Sequence, residues 1–250
     1  MDKLDAAAIA LPGAEARVVE RCTSTNDLLL KEQIGERPVL LAAEEQTAGR
    51  GRRGRRWHST PTAGITFSLG RRVRRPAREL AAISLVAGVA VVRALHALGV
   101  GAVRLKWPND LVVDGAKLGG ILVETRGASH VVIGIGLNHR RTRGLEAKLR
   151  RKLAFIEELA PVSRNRVIHA AGVALLDMLE RFDAQGLDAL RADWEAMDAY
   201  PGQRLRVRLA DGRTISGIAA GLGEGGSLRI RTKRGMQAVT SGRVVSARPA

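Results

Sequence analysis

Few residues in this sequence could crosslink the chain or anchor it to a membrane. Cys22 is the only cysteine among 250 residues, which excludes an intramolecular disulfide and is typical of a reducing compartment. The apolar stretch near the amino terminus follows Asp2 and Asp5, and Pro12 and Gly13 interrupt it, so it does not resemble a signal peptide. No apolar run reaches the roughly 20 residues that a membrane-spanning helix needs. We therefore expect a cytoplasmic protein that does not contact a membrane.

Aromatic and acidic residues are also scarce. Aromatic residues make up 3% of the chain, and 25 acidic residues face 41 basic ones, for a net charge of +16. Such an excess attracts nucleotides, polyanions or acidic protein surfaces. Nucleic-acid-binding proteins usually combine basic residues with base-stacking aromatics or a recognition helix. The shortage of aromatics makes a nucleic-acid-binding regulator the less favoured interpretation.

The most unusual segment reads GRGRRGRRW, at 49–57, with five arginines and three glycines in nine residues. Its glycines match the G-x-G-x-x-G pattern of dinucleotide-binding folds, which requires a helix directly after the glycines. The following segment, RRWHSTPTAG, has proline and glycine where that helix should run, so the dinucleotide fold is excluded. Glycines expose backbone N–H groups, and arginines bind carboxylates or phosphates with two parallel hydrogen bonds. The segment 49–57, here named the arginine loop, predicts an anion-binding loop, with Trp57 available for a purine to stack on.

A second candidate site residue is Lys106, in the segment LKWPND. It lies at the end of a predicted strand and before a proline turn, and a mobile ammonium suits a developing phosphate or carboxylate charge. Asn109 and Asp110 are candidates to orient that turn or to help hold Mg²⁺. Asp110 is equally interpretable as the side-chain cap of the turn.

Glycines on two neighbouring predicted strands indicate a third part of the site. Gly119 and Gly120 lie in KLGGILVE, and Gly134 and Gly136 lie in VIGIGLN. Glycine weakens a strand, so paired glycines favour close approach of another molecule to the backbone. We predict a narrow apolar slot, with Asn138 at its edge. The five histidines lack metal-ligand spacing, which leaves group transfer by positioning and electrostatics as the indicated chemistry.

The length of 250 residues predicts one large or two modest domains. Strands are predicted at 17–22, 38–46 and 64–70, and long helices at 77–98 and 162–182, with shorter ones at 24–33 and 186–197. Asp114-Gly115 and a turn at 127–129 join three further strands, which must be antiparallel neighbours. After Pro201-Gly202, five short alternating runs separated by turns predict a small barrel. We place a domain boundary near 199–202.

Five of these segments together resemble the successive motifs of biotin protein ligases. They are STN at 24–26, EQTAGRGRRGRRW at 45–57, KWPNDL at 106–111, KLGGILVE at 117–124 and GIGLN at 134–138. Their order and spacing match over most of residues 20–140, and the small C-terminal barrel matches as well. Because only 23 residues precede Ser24, the resemblance is to the monofunctional type without an N-terminal DNA-binding domain. Lipoate ligases share the catalytic fold and remain the alternative, although the complete arginine loop and KWPND favour biotin.

The resemblance implies an α+β fold. The central sheet would be mixed and largely antiparallel with flanking helices, as in class II synthetases, and a small SH3-like β-barrel would follow it. Residues 1–200 would form the catalytic domain, and 201–250 the barrel. Arg243 stands where the resemblance leads us to expect an acidic residue, which leaves open whether the barrel contacts the arginine loop.

The resemblance also implies a reaction and its participants. Biotin and ATP, with Mg²⁺, would form biotinyl-5′-AMP, and a lysine of a biotin carboxyl carrier protein domain would then displace AMP. The enzyme would be a monomer or weak homodimer that binds no DNA and holds no metal site of its own. Lys106 and Arg52 would be catalytic. The implied biotin-binding residues are Ser24, Thr25, Asn26, Gln46, Arg50, Gly51, Arg52, Lys106, Gly119, Gly120, Gly134 and Gly136. The implied ATP-binding residues are Arg52, Arg55, Trp57, Lys106, Asn109, Lys117 and Asn138.

Overall fold

A seven-stranded sheet forms the centre of the protein. The computed structural model describes residues 3–58, 60–127 and 129–249. The strands are β1 (Glu15–Cys22), β2 (Val39–Gln46), β3 (Gly64–Arg72), β4 (Arg104–Lys106), β5 (Asp110–Val113), β6 (Ala116–Arg126) and β7 (His130–Asn138). They lie in the order β1-β2-β3-β7-β6-β5-β4. Only β1 and β2 are parallel; every other pair is antiparallel. The predicted mixed, largely antiparallel sheet is confirmed.

The arginine loop leads from β2 directly into β3, which is antiparallel to β2. No helix of dinucleotide-fold type follows the glycines within the described part of this connection, as expected from the proline and glycine there. Asp114 and Gly115 form the tight turn between β5 and β6, where both residues have positive φ, 48° and 77°. The predicted turn at 127–129 joins β6 to β7, but residue 128 lies outside the described residues.

Among the described residues, five α-helices flank the sheet: α1 (Thr25–Lys31), α2 (Ile83–Ala97), α3 (Leu145–Leu149), α4 (Arg164–Gln185) and α5 (Arg191–Ala196). Ser24 caps α1 and Ser163 caps α4, because each side chain accepts a hydrogen bond from a backbone N–H in the first turn. The helix predicted over 77–98 begins instead with a 3₁₀ segment, Ala77–Ala82. The helix predicted over 186–197 is likewise reduced to α5 and a preceding 3₁₀ turn.

The segment Ala77–Ala97 corrects the expectation that no stretch reaches membrane-spanning length. It has 21 residues and a mean hydropathy of 1.9, enough by length and composition to cross a membrane. However, 72% of its most apolar window is buried inside the protein. Helix α2 packs against α4 and β6, so its apolar side chains belong to the core.

The C-terminal part is a five-stranded antiparallel sheet. Its strands are β8 (Arg204–Leu209), β9 (Thr214–Leu222), β10 (Leu228–Thr232), β11 (Gly235–Val239) and β12 (Gly242–Arg248), in the order β11-β10-β9-β8-β12. Its inward residues, such as Val207 and Val244, belong to the same hydrophobic core cluster as the central sheet. Trp107 Nε1 donates a hydrogen bond across the junction to the carbonyl of Gly226 at 3.0 Å. The two parts are therefore packed firmly together, and the boundary near 199–202 stays a prediction.

The chain near that boundary covers the β4 edge of the central sheet. Leu105 N donates to the carbonyl of Met197 at 2.7 Å, and Ala199 N donates to the carbonyl of Leu105 at 2.8 Å. An edge that is paired in this way cannot recruit another strand. Burial at this junction raises the pKa of the Asp198 carboxyl to about 6, although the backbone N–H groups of Tyr200 and Ala199 oppose the shift.

This raised pKa predicts a pH-dependent loss of stability. Below about pH 4 the Asp198 carboxyl is protonated in both the folded and unfolded chains. As pH rises from 4 through 6, the unfolded chain releases the proton first, so folding becomes less favourable until the folded carboxyl ionises as well. We expect Asp198→Asn to raise the free energy of unfolding by about 3 kcal/mol at pH 8 and by almost nothing near pH 4. Urea denaturation of both proteins across this range measures the difference, and an equal effect at both pH values would contradict the assignment.

Candidate active site

One cavity on the central strands of the sheet gathers most of the predicted site residues. It encloses about 660 Å³ when counted to its open mouth, a size typical of small-molecule sites. Its walls come from the start of α1, the arginine loop and strands β2, β3, β5, β6 and β7. The lining residues are Ser24, Thr25, Asn26, Gln46, Arg50, Gly51, Arg52, Arg55, Arg56, Trp57, Phe67, Asn109, Asp110, Lys117, Gly120, Ile121, Leu122, Gly134, Ile135, Gly136 and Arg151.

A buried polar network forms the inner end of the cavity. Thr25 N donates to Gln46 Oε1 at 2.7 Å, and Thr25 Oγ1 lies 2.6 Å from Ser68 Oγ. Ser68 Oγ donates to Asn26 Oδ1 at 2.6 Å, and Asn26 Nδ2 donates to Glu124 Oε2 at 2.9 Å. Buried polar groups joined in this way hold fixed positions. Ser68 was missed by the sequence interpretation, since one serine in an alternating strand carries no signal of its own.

Three of the four predicted glycines form the floor of the cavity. Added Cβ atoms would lie 2.3 Å from Asn26 Oδ1 at Gly134 and 2.4 Å from the Trp57 ring at Gly136. These strands therefore need glycine so that Asn26 and Trp57 can lie flat against the backbone. Gly119 does not line the cavity. It pairs with Leu137, and its Cβ would meet the Leu137 side chain at 2.5 Å, so Gly119 serves core packing.

The contact between Gly134 and Asn26 predicts the effect of one methyl group. Asn26 is held by Ser68 and Glu124 and has no room to retreat, so Gly134→Ala should displace it. We expect the KM for the ligand of the polar network, biotin in the function proposed below, to rise about tenfold, as for the loss of one hydrogen bond to a buried group. Steady-state kinetics measures this, with Gly101→Ala as the matched control, because no atom lies within 4 Å of a Cβ there. A KM unchanged in Gly134→Ala would contradict this role of the glycine.

The arginine loop is a small hairpin over the cavity. Gly51 N donates to the carbonyl of Arg55 at 2.7 Å, and Trp57 N donates to the carbonyl of Gly49 at 2.9 Å. The turn reverses at Arg53, φ 58°, and Gly54, φ 69°, where glycine is favoured. The loop therefore presents its backbone towards the cavity together with the side chains of Arg50, Arg52, Arg55, Arg56 and Trp57.

Different arginines of this loop have different partners. Arg50 forms ion pairs with Glu124, at 2.7 Å, and with Asp27, so acidic groups already compensate its charge. Arg52 Nη1 lies 3.5 Å from Asn109 Oδ1. Burial, and then the charges of Arg53 and Arg55, lower the pKa of the Arg52 guanidinium. A bound anion would relieve this repulsion.

The loop also contacts the C-terminal sheet. Arg53 Nη2 donates to Ser241 Oγ at 3.2 Å. The sequence left open whether the C-terminal barrel contacts the arginine loop, and this hydrogen bond shows that it does. Ser241, immediately before β12, provides the contact in place of an acidic residue.

Lys117 is the lysine on the cavity wall. It forms an ion pair with Asp110, and its Nζ lies 5.9 Å from the centroid of the Trp57 ring. Burial lowers the pKa of the Lys117 ammonium, while the Asp110 carboxylate opposes that shift. Asp110 is the only carboxylate among the described lining residues. This end of the cavity is therefore strongly positive, because its lining includes Lys117, Arg52, Arg55, Arg56 and Arg151.

Lys106, expected to be the central lysine, does not line the cavity. Its Nζ lies 5.9 Å from the centroid of the Tyr200 ring, and its backbone pairs with that of Asp110 across β4 and β5. Burial lowers the pKa of the Lys106 ammonium, and the Asp110 carboxylate opposes this shift. The positive charges of Arg243 and Arg151 lower the pKa of Lys106 further. Lys106 therefore lies outside the lining of this cavity, and its catalytic role stays a prediction.

Two further residues complete the comparison with the predicted site. Asn138 lines a side pocket with Trp57 and Lys117, and its Nδ2 donates to the carbonyl of Lys117 at 2.9 Å. It therefore fixes the strand that carries the lysine. Arg151 was not predicted; the pairing of 152–154 with Lys117 brings it to the cavity. Among the residues that the structure describes, no group of three or more His, Cys, Asp or Glu is arranged to hold a metal ion.

The fold and the site together define a class of protein, the biotin and lipoate ligases. Residues 18–138 match the Biotin/lipoate A/B protein ligase family, and residues 202–245 match the Biotin protein ligase C terminal domain. The "Biotin--[acetyl-CoA-carboxylase] ligase" of Mycobacterium tuberculosis is 38% identical over 241 residues, which cover 92% of this chain and 88% of that protein. The chain belongs to the biotin protein ligase family.

Other relatives agree with this assignment. The "Bifunctional ligase/repressor BirA" of Escherichia coli is 34% identical over 225 residues, covering 87% of this chain and 70% of that protein. The solved structure of the biotin protein ligase from Aquifex aeolicus in complex with biotin and ATP superposes with a TM-score of 0.79. It is 27% identical and covers 93% of this chain and 98% of that one. The predicted α+β fold with its C-terminal β domain is thereby confirmed.

Proposed function

We propose that the protein activates biotin with ATP and transfers it to a lysine of a biotin carboxyl carrier protein domain. The observation that carries this proposal is the cavity itself. A hydrogen-bonded polar network, in which the Glu124 carboxylate is paired with Arg50, lies at one end, and a group of cations with a single carboxylate lies at the other. Such a cavity suits a flat polar ring whose carboxylate must approach a phosphate.

The first step joins two anions. A carboxylate oxygen of biotin forms a bond to the α-phosphorus of ATP, and the bond from that phosphorus to the bridging oxygen breaks, releasing pyrophosphate. Repulsion between the two reactants opposes this attack, and fixed cations in a site that excludes water offset it. We assign the central role to Lys117, since its ammonium is buried between Asp110 and Trp57, at the junction of the network and the cations. Arg52 and Arg55 would bind the phosphates from the loop.

The other residues position the two substrates. Thr25, Asn26 and Gln46 would offer donors and acceptors to the biotin ring, whose tail would run over Gly134 and Gly136. Ser68, which is fully buried, would hold Thr25 and Asn26 from behind. Trp57 would stack on adenine, and Asn109 would hold Arg52. In the second step the neutral amine of the acceptor lysine attacks the carbonyl carbon of the mixed anhydride, and AMP leaves with the bonding electron pair. Closure of the loop protects the anhydride from water until then.

Magnesium would accompany the phosphates of ATP. Mg²⁺ is typically bound through one or two carboxylates together with substrate phosphates, and Asp110 is the carboxylate in a position to serve. When bound, the ion would neutralise charge on the departing pyrophosphate.

The test of this proposal is ATP/pyrophosphate exchange with two carboxylic acids. Exchange of labelled pyrophosphate into ATP requires a reversible adenylation step. We expect strong exchange with biotin and none above background with lipoate. Stimulation by lipoate alone would show that the cavity serves the other branch of the ligase class, and no exchange with either acid would refute the adenylation step.

A further inference from the structure

The C-terminal sheet has a charge distribution unlike that of the rest of the chain. Residues 201–250 carry ten basic and two acidic side chains, which is half of the net charge of +16 in a fifth of the length. The sequence alternation places these arginines on one side. On β8, Arg204, Arg206 and Arg208 are exposed, while Leu205 and Val207 are buried.

Neighbouring strands continue the same surface. Arg243 on β12 lies opposite Arg208, and Arg248 lies opposite Arg204. On the other side of β8, Arg204 pairs with Ile218 of β9, which in turn pairs with Arg231 of β10. Six arginines therefore form one exposed surface, here named the arginine face: Arg204, Arg206, Arg208, Arg231, Arg243 and Arg248.

The arginine face carries uncompensated charge. In the described chain none of its six guanidinium groups forms an ion pair, and of the two acidic residues in this part of the chain, Asp211 pairs with Arg213, outside the face. Several arginines elsewhere in the described chain are paired with acids, as Arg71 is with Asp183 and Arg141 with Glu158. Like charges directly opposite each other across strands destabilise a sheet. A bound polyanionic surface would remove that cost.

One end of the face adjoins the mouth of the cavity. Ser241, immediately before β12, accepts the hydrogen bond from Arg53 of the arginine loop. Arg243 is the next arginine along the chain, and it lies close enough to Lys106 for their charges to interact. Burial is the main cause of the lowered pKa of Lys106, and the charge of Arg243 lowers that pKa further. A macromolecule that covers the arginine face therefore also reaches the place from which an acceptor lysine must approach.

We propose that the arginine face is the docking surface for an acidic acceptor domain, which it orients so that the acceptor lysine reaches the cavity. This inference rests on the proposed transfer function, since it assigns the surface that recognises the protein substrate. Charge complementarity between two such surfaces accelerates encounter and fixes orientation more than it adds affinity. A nucleic acid fits the face less well, because residues 201–250 contain no aromatic side chain on which bases could stack.

The test compares two triple variants that each remove three positive charges. The first is Arg204→Gln, Arg206→Gln and Arg208→Gln in the arginine face. The control is Arg72→Gln, Arg74→Gln and Arg166→Gln, exposed positions of the catalytic part. For the first variant we expect the KM for the apo carrier domain of a biotin-dependent carboxylase to rise about tenfold at low ionic strength. Its kcat at saturating carrier and its biotin-dependent ATP/pyrophosphate exchange should stay at wild-type values.

The control variant should keep the wild-type KM for the carrier. Transfer by the wild type should also fall more steeply with added salt than transfer by the arginine-face variant. An unchanged KM in the arginine-face variant would overturn the proposal, and so would an equal rise in both variants. Loss of binding to a fluorescent oligonucleotide in the arginine-face variant, with an unchanged carrier KM, would assign the face to nucleic acid and overturn it as well. Failure of the proposed function is distinguishable, because the wild type would then show no exchange.

Discussion

Replacing Lys117 with alanine is expected to reduce biotin-dependent ATP/pyrophosphate exchange by about two orders of magnitude or more. The ammonium of Lys117 lies on the cavity wall in an ion pair with Asp110, in surroundings that are partly desolvated. There it neutralises charge that develops when the carboxylate attacks the α-phosphate. Without it, the carboxylate of Asp110 would also repel both substrates. The initial rate of exchange at saturating biotin and ATP measures the loss.

Two further variants separate the role of Lys117 from a general effect. Lys106→Ala removes a lysine that lies nearby but off the cavity wall, and we expect it to retain exchange to within about tenfold. Lys117→Gln keeps the length of the side chain, and should fold normally by circular dichroism while losing exchange as Lys117→Ala does. If Lys106→Ala lost exchange and Lys117→Ala did not, the assignment made from the sequence motif would be right and the one made here from the structure wrong.

Replacing Arg52 with glycine is expected to release the activated intermediate early. Arg52 lines the cavity from the loop and lies 3.5 Å from Asn109, and its charge would be bound directly to the phosphate of the adenylate. A hydrogen bond to a charged group contributes about 1.5 to 3 kcal/mol, so its loss should accelerate dissociation about 10- to 100-fold. The released adenylate would then react with lysines of bystander proteins. Mass spectrometry of added serum albumin measures this labelling.

Arg53→Gly is the matched control for the loop. Arg53 lies in the same turn, is exposed and does not line the cavity. Its φ of 58° already suits glycine, so this change removes one guanidinium without adding backbone strain. We expect much less free adenylate from this variant. Equal release from both variants would indicate that the loop as a whole, rather than Arg52, retains the intermediate.

Much of the site could be predicted from the sequence, because short motifs fix local structure. Three features of the loop followed from composition: its anion-binding character, the missing helix after Gly54 and the position of Trp57. The antiparallel strands followed from Asp114-Gly115 and the alternation around it. These signals are local, and each rests on the conformational preferences of a few residues.

Other features depend on contacts between distant segments. The position of Lys117 in the cavity lining, and of Lys106 outside it, depends on which face of the sheet each strand presents, and a local bulge between β5 and β6 alters that register. Gly119 faces Leu137 for the same reason. Arg151 reaches the cavity, and Ser68 reaches the polar network behind it, only through pairings that join segments far apart in the chain. The predicted metal-free character, the weak dimerisation and the cytoplasmic location stay predictions.

The central claim is that this cavity makes a biotin adenylate and delivers it to a lysine of a carrier protein. Incubation of the protein with biotin, MgATP and an apo carrier domain, followed by intact-mass spectrometry of the carrier, tests this claim most directly. We expect the carrier to gain the mass of one biotinyl group on a single lysine, and only when both biotin and ATP are present. A carrier whose mass is unchanged after complete incubation with folded protein would contradict it.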